Sequence, residues 1–367
     1  AAVCIVLAVG AIAAAIFAYY TSQRAKRAED LAQQSRVQAE TLLGYLTANF
    51  ARELESSGNL EVIATLAKRE IDYFHGLPEA LKGPETQRTA AQALVQYSRA
   101  TRRMGNLDPA WDAAAEAVAI LERLRAGGDE SEATIIGLAR AFDVQALILN
   151  GRQDGKATEV SQRGAAVIGS LTQRPDASAA ARETESEVLT TLGYLQDQVS
   201  NPKAIATLTK SLEIARDLGG HDAKDTYVGG LYVDAGAWLL VGYLIQGRYD
   251  EARTLGEDAS KVADRILAQS PSDRVALYAL ALMQQSLGDA SASELRPQEG
   301  IPPYLRAAAV QQTLVDFDPK NMVAQNNLAS VQWSTSEAYW AMGQVDTAIA
   351  LFEEPKPTEV DALMPRD

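Results

Sequence analysis

Residues 238–259 read WLLVGYLIQGRYDEARTLGEDA. Apolar side chains recur at helical spacing as far as Ile245, Gly247 interrupts, and a second amphipathic run begins at Tyr249. Glycine lets a chain turn sharply between antiparallel helices. Ala252, five residues past Gly247, lets the second helix pack closely on the first, and Ala259 keeps the same face narrow. Tyr243, four residues before the turn, can fill the space between neighbouring hairpins. One such hairpin cannot bury its apolar face, but a stack can.

The layout recurs as YWAMGQVDTAIALF at 339–352 and as MGNLDPA at 104–110, with Ala114 and Ala117 after it. Working outward, about six degenerate units fall near 87–125, 133–171, 184–218, 230–269, 273–317 and 322–354. The turn glycines are unevenly spaced, from Gly105 to Gly151, from Gly247 to Gly288 and from Gly288 to Gly343. This predicts lengthened helices and irregular loops, with Pro297–Pro303 as one insertion before a helix over Tyr304–Val315 that stops at Asp318-Pro319. A plain helical bundle is the competing architecture.

These residues resemble the tetratricopeptide repeat. Its Tyr, turn Gly, Ala, aromatic and Ala pattern stands as Tyr243, Gly247, Ala252, Gly256 and Ala259, and as Tyr339, Gly343, Ala348 and Phe352; its Leu-Gly pair is clear only at Leu192-Gly193. Unit lengths exceed the family's usual period of about 34 residues. The resemblance implies an α-solenoid binding a protein or peptide on a concave face lined by the first helix of each unit. By register that face receives Arg99, Arg102 and Arg103, then Asp234 and Val241, then Tyr278 and Gln285, and last Trp333, Glu337 and Trp340. Trp and Arg are common anchors; the competing role for Trp238, Trp333 and Trp340 is packing between units. The family's Lys and Asn clamp for peptide C-termini has no match here.

Residues 1–20, AAVCIVLAVGAIAAAIFAYY, carry no charge, and Arg24, Lys26 and Arg27 follow. Twenty helical residues rise about 30 Å, the hydrocarbon thickness of a bilayer. Val3, Ile5, Val6, Leu7, Val9, Ile12, Ile16 and Phe17 together favour insertion by about 2.4–4.8 kcal/mol. Residues 1–20 therefore read as a transmembrane helix, with a cleaved signal peptide and a buried core helix as weaker alternatives. Gly10, Ala14 and Ala18 form a small-residue stripe that permits self-association of the span. The basic flank favours a cytoplasmic body, and the expected location is a bacterial inner membrane. The start at Ala1, inside the apolar run, leads us to expect a domain upstream. Residues 21–85 read as a helical stalk, with one amphipathic helix near Leu60–Phe74; 86–354 form the solenoid and 355–367 a tail.

The formal net charge is −14 and aromatic residues make up only 6%. An acidic body argues against sequence-independent nucleic-acid binding, which needs a basic face. The composition is all-α. The sole cysteine is Cys4, so no disulfide framework exists. His75 and His221 lack ligands at metal spacing and read as a helix-end and a loop residue. Gly151–Ala157 (GRQDGKA) lacks the spacing and hydroxyl of a phosphate loop and reads as a turn. Glu183, Glu185 and Glu187 read as a solvated helix face. No catalytic constellation, metal site or cofactor motif is visible, so the chain reads as non-enzymatic.

The order of span, basic neck, stalk and helical units is also similar to the C-terminal part of bacterial multidomain signalling proteins. Those carry an effector before the span: a Toll/interleukin-receptor-like or caspase-like domain, a STAND-type ATPase, a kinase or a cyclase. The expected function is a membrane-anchored recruiting or sensing arm. The alternatives are an anchored assembly factor of a membrane or envelope complex, or an enzyme of unfamiliar type.

Overall fold

Five of the long helices start where a short polar side chain can accept from their free N–H groups. Ser131 Oγ accepts from Thr134 N, Ser178 Oγ from Ala181 N, Asp225 Oδ1 from Tyr227 and Val228 N, Asp273 Oδ1 from Ala276 N and Asn321 Oδ1 from Ala324 N. Such a cap stabilises by about 1 kcal/mol. The five caps lie 47, 47, 48 and 48 residues apart. A computed structural model describes residues 19–24, 26, 60–198, 202–319 and 321–353. Among these, thirteen long helices and no strand are present.

Helix α1 spans Leu60–Gly76. Six hairpins follow. They are α2 (Pro84–Arg103) with α3 (Leu107–Ala126), α4 (Glu132–Gly151) with α5 (Ala157–Thr172), and α6 (Ala179–Gln198) with α7 (Ala204–Asp217). Next come α8 (Thr226–Ile245) with α9 (Tyr249–Gln269), α10 (Arg274–Ser293) with α11 (Pro297–Phe317), and α12 (Met322–Ala341) with α13 (Val345–Glu353). Each helix packs on the next, and α2, α4, α6, α8 and α10 also touch the first helix of the following hairpin. This is solenoid-like stacking. Helix α1 lays Ile63, Ala64 and Ile71 on Tyr97, Ala100 and Leu94 of α2, so among the described residues it forms the first layer of the stack.

Five hairpins turn through one hydrogen-bond pattern. Gly105 N–H donates to Arg102 O and Asn106 N–H to Thr101 O; the same pair of bonds closes the turns at 153, 247, 295 and 343. This is the Schellman motif, whose central residue adopts a left-handed conformation. Gly105, Gly247 and Gly343 occupy that position in three hairpins, but Gln153 and Leu295 occupy it in two, at φ 57° and 60°. The true period is therefore about 48 residues, and the sequence landmarks Gly151 and Gly288 are displaced. Gly151 is the last residue of α4, and Gly288 lies inside α10. Leu295 is 88% exposed and gains nothing from packing. A left-handed conformation costs a side-chain-bearing residue about 1–2 kcal/mol. Leu295→Gly should therefore stabilise the protein by about 1 kcal/mol in urea unfolding, and Gly343→Leu should destabilise it similarly.

Pro297–Pro303 is not an insertion. Pro297 opens α11, and the helix runs through Pro302 and Pro303 to Phe317. Both prolines lie early in α11, so the lost backbone bonds fall near its start, and packing against α10 holds the segment helical. Five residues past the left-handed position stand Ala110, Ala252, Gly300 and Ala348, all buried, in four of the five hairpins; Thr158, half-buried, follows Gln153. The largest apolar cluster joins α7 through α10, around Tyr232, Leu240, Val262, Ile266 and Leu280.

Of the expected span, only Tyr19 and Tyr20 are described, helical and exposed, with ring centroids 6.0 Å apart. Residues 1–18, with the Gly10, Ala14, Ala18 stripe, and the tail 355–367 lie outside the described residues. Among the described residues, α8 alone is long and apolar enough to cross a bilayer, but 61% of it is buried, as in a core helix.

Candidate functional site

The 48-residue period places equivalent side chains of the first helices in a row. Arg140, Glu187 and Asp234 are each the ninth residue of their helix, on α4, α6 and α8. They line the inner face of the stack. Arg99 reaches across from α2 and donates to Glu187 Oε1. Its Nη2 also stands 4.0 Å from Asp143 Oδ2, and Arg140 Nε donates to Glu187 Oε2 at 3.3 Å. First, second and third hairpins are thus tied by one ionic network.

The stack winds back on itself. A side chain on Gly105, in the first turn, would meet Met322 Cγ at 3.2 Å, at the start of α12. Arg102 and Arg103 of α2 accordingly lie within electrostatic reach of Tyr278 on α10. Tyr278 Oη accepts from Asn321 Nδ2 at 2.6 Å.

Confinement shifts the ionisable groups. Burial raises Asp143 to about 7, reinforced by the charge of Glu187 and opposed by Arg99. Burial opposes the charge of Glu187 as well, but Arg99 and Arg140 outweigh it and hold Glu187 below the usual glutamate value. Within this pair, Glu187 keeps the charge and Asp143 takes the proton. Asp143 Oδ1 is buried without a hydrogen-bond partner, which fits a carboxyl that is poorly compensated as an anion. Burial and Glu187 raise Asp234 to about 6, against Arg103 and Trp238. Burial and the charge of Arg103 lower Arg102 to about 10, and its Nε has no hydrogen-bond partner. Burial also pushes Tyr227 up to about 12, within electrostatic reach of Glu187, Arg140, Arg99 and Glu183. The inner face therefore holds four guanidinium groups against four carboxyls, two of which, Asp143 and Asp234, resist ionisation. It is locally cationic within an acidic protein.

Of the residues assigned to the concave face from sequence, Arg99, Arg102, Arg103, Asp234 and Tyr278 share this cluster. Val241 lies two turns beyond Asp234, half-buried. Gln285 bridges hairpins, donating to Ser330 Oγ at 3.1 Å and Ser334 Oγ at 3.4 Å. Trp333, Glu337 and Trp340 form an exposed stripe on α12. The sequence reading missed Arg140, Asp143, Glu187 and Tyr227. The periodic Ser, Asp and Asn caps are the signal that would have aligned Arg140 and Glu187 with Asp234; Asp143 lies one turn beyond Arg140 on the same helix. Two glutamates of the expected solvated face are not solvated: Glu185 is buried and accepts from Lys210 Nζ at 2.6 Å, and Glu187 is in the network. The two point to opposite sides of α6: Glu187 faces α2 and α4, whereas Glu185 faces α7, which carries Lys210.

The histidines stand apart from this cluster. His75, near the end of α1, pairs with Glu116 at 2.6 Å, and His221 Nε2 lies 3.3 Å from Asp258 Oδ1. Trp238 is half-buried, its ring 4.2 Å from that of Tyr194. Among the described residues no group of three or more His, Cys, Asp or Glu could hold a metal ion.

No family model matches the chain, and no curated protein matches it in sequence. Solved structures share its fold. The chain is similar to BtubC (BKLC) from P. vanneervenii, at 16% identity and a TM-score of 0.51, covering 71% of this chain and 94% of that one. It is also matched by a signal transduction ATPase with numerous domains from Pyrococcus horikoshii, which carries a tetratricopeptide repeat sensor. That match has 15% identity and a TM-score of 0.47, and it covers 85% of this chain and 46% of that one.

Proposed function

We propose that this chain is a protein-interaction module of tetratricopeptide type that binds an acidic segment of a partner on its inner face. The observation that carries the reading is the convergence of Arg99, Arg102, Arg103 and Arg140 on one confined surface of a protein with net charge −14. Such a surface attracts carboxylates and rejects basic segments. In the same reading residues 1–20 anchor the module in a membrane, and it recruits or senses on behalf of an upstream effector. The sequence order of span, basic neck and helical body supports this part. The alternative remains an anchored assembly factor without signalling.

The test uses the full chain in lipid nanodiscs with a photo-crosslinking residue at Val241 or, as an outward control, at exposed Lys261. Expected from cell extract is a partner crosslinked at 241 through an Asp- and Glu-rich segment. Arg102→Glu with Arg103→Glu should weaken that partner at least tenfold, about 1.4 kcal/mol or more. Unchanged binding in this variant would refute the inner-face site.

A further inference from the structure

Gln87 lies 18 residues before the turn at Gly105 and Arg123 lies 18 after it. The antiparallel packing of α2 on α3 therefore sets the two at one level, at the open end of the first hairpin. Helix α1 ends against the same place, and one turn of 3-10 helix, Glu79–Leu81, leads from it towards α2. The three helices do not close there. A cavity of about 190 Å³ remains between them, lined by Gln87 and Arg123 among others. The apolar part of the lining, Ile71, Phe74 and Leu94, is buried. Ala90 on α2 and Ala119 on α3 leave room that larger side chains would fill.

Two features of the lining describe what fits. Gln87 Nε2 donates to Lys82 O at 2.8 Å, which fixes the amide and turns Oε1 away from that bond. Oε1 is buried and has no hydrogen-bond partner, so a donor supplied to it is strongly favoured. The second feature is charge. Each carboxylate of the lining already has a partner: Glu116 Oε1 lies 2.6 Å from His75 Nε2, and Glu79 accepts from Lys82 Nζ at 2.7 Å. Arg123, exposed at the rim, forms no ion pair among the described residues. A cationic ligand would find no free carboxylate, whereas an anionic one finds a guanidinium shaped to hold a carboxylate. Size sets the rest. An apolar cavity of about 150 Å³ accepts a benzene ring, so one of about 190 Å³ holds a fused pair of rings. We infer that this cavity binds a small bicyclic aromatic acid that carries a ring N–H or O–H. The donor meets Gln87 Oε1, the rings lie among Ile71, Phe74 and Leu94, and the carboxylate pairs with Arg123. Arg99 of the inner face lies 12 residues, about 18 Å, further along α2, so the two sites stand or fall separately.

The test is calorimetric titration of the full chain in lipid nanodiscs, with empty nanodiscs subtracted, using three probes of similar size. Indole-3-propionate has the ring N–H and the acid. Benzothiophene-3-propionate keeps the acid and replaces the N–H by sulfur. Tryptamine keeps the N–H and carries an ammonium group instead of the acid. Expected is one saturable site for indole-3-propionate with a Kd below about 1 mM. The benzothiophene acid should bind at least about fivefold more weakly, and tryptamine at least about tenfold more weakly. Gln87→Leu should remove the preference between the two acids. Arg123→Gln should weaken both acids by one common factor, about threefold or more. Ala119→Trp should fill the cavity and abolish binding. Arg123 and Ala119 are exposed, so these two variants keep the inference testable even where Gln87→Leu fails to fold. No saturable binding of indole-3-propionate, equal affinity for the three probes, or full binding in both Arg123→Gln and Ala119→Trp would overturn the inference.

Discussion

Gly288→Ala should lower stability by about 1–2 kcal/mol, although alanine is the better helix former. A Cβ at Gly288 would lie 2.5 Å from Tyr304 Cε1 and 2.6 Å from its Cδ1. The ring cannot swing aside: Tyr304 is 2% exposed, and its hydroxyl donates to Asp289 Oδ1 at 2.6 Å. Nor can the helices part easily, because Gly300 brings α11 so close that a Cβ there would stand 2.9 Å from the carbonyl oxygen of Gly288. Overpacking of this kind costs about 1–3 kcal/mol and sometimes more. The gain in helix propensity, about 1 kcal/mol, offsets part of it. Gly169→Ala is the matched control. It lies in α5 with nothing within 4 Å of its added Cβ, so it should stabilise by about 1 kcal/mol. Urea midpoints that move the same way for both variants would refute the close crossing of α10 and α11.

Glu187→Gln should destabilise by about 2–3 kcal/mol. The change strands Arg99 and Arg140, whose side chains are 21% and 32% exposed, beside a neutral amide. Removing one partner of a buried pair costs about 3–5 kcal/mol. Partial solvent access reduces that figure, as does Asp143, 4.0 Å from Arg99 and able to take over part of the pairing. The pH dependence carries a second signature. Asp143 and Asp234 are raised in the folded state, to about 7 and about 6. Their contribution is fully present below the unfolded aspartate value of about 3.9 and is lost as pH rises through the folded values. Glu187 is lowered, so its contribution is present above the unfolded value of about 4.3 and fades as pH falls through its folded value. Between about pH 5 and about pH 7.5, the two aspartates should therefore make the wild type lose stability as pH rises. In Glu187→Gln, Asp143 and Asp234 lose a repulsive neighbour, their values fall, and this slope should flatten. An unchanged slope would mean that the three carboxyls are not one network.

Helical content, the hairpin unit and the small residue after the glycine turns were legible in the sequence because they are local. Propensity, amphipathic period and the contact of a turn with the next few residues need no distant partner. The period was misread for a physical reason. A left-handed turn residue is usually glycine, so Gly151 and Gly288 looked like turns, whereas Gln153 and Leu295 hold that conformation and Gly288 serves a helix crossing. Capping side chains at 131, 178, 225, 273 and 321 carry the same period without that ambiguity.

The site was half legible. Register from the turn placed Arg99, Arg102, Arg103, Asp234 and Tyr278 on one side of their helices, and they share the inner cluster. Which groups meet across hairpins is set by how far each unit rotates on the last, and no spacing within one helix encodes that angle. So the pairing of Arg99 with Glu187, 88 residues on, and the closing of the first turn on Met322 came only from the tertiary structure. The same holds for the Trp333 and Trp340 face. Sequence assigned those residues to a groove, but whether a stripe looks inward, at the next hairpin or at solvent depends on what is stacked against it. The sequence by itself determined an acidic helical repeat with turns and caps; the superhelical winding decided which charges were confined together and which side chains met across hairpins.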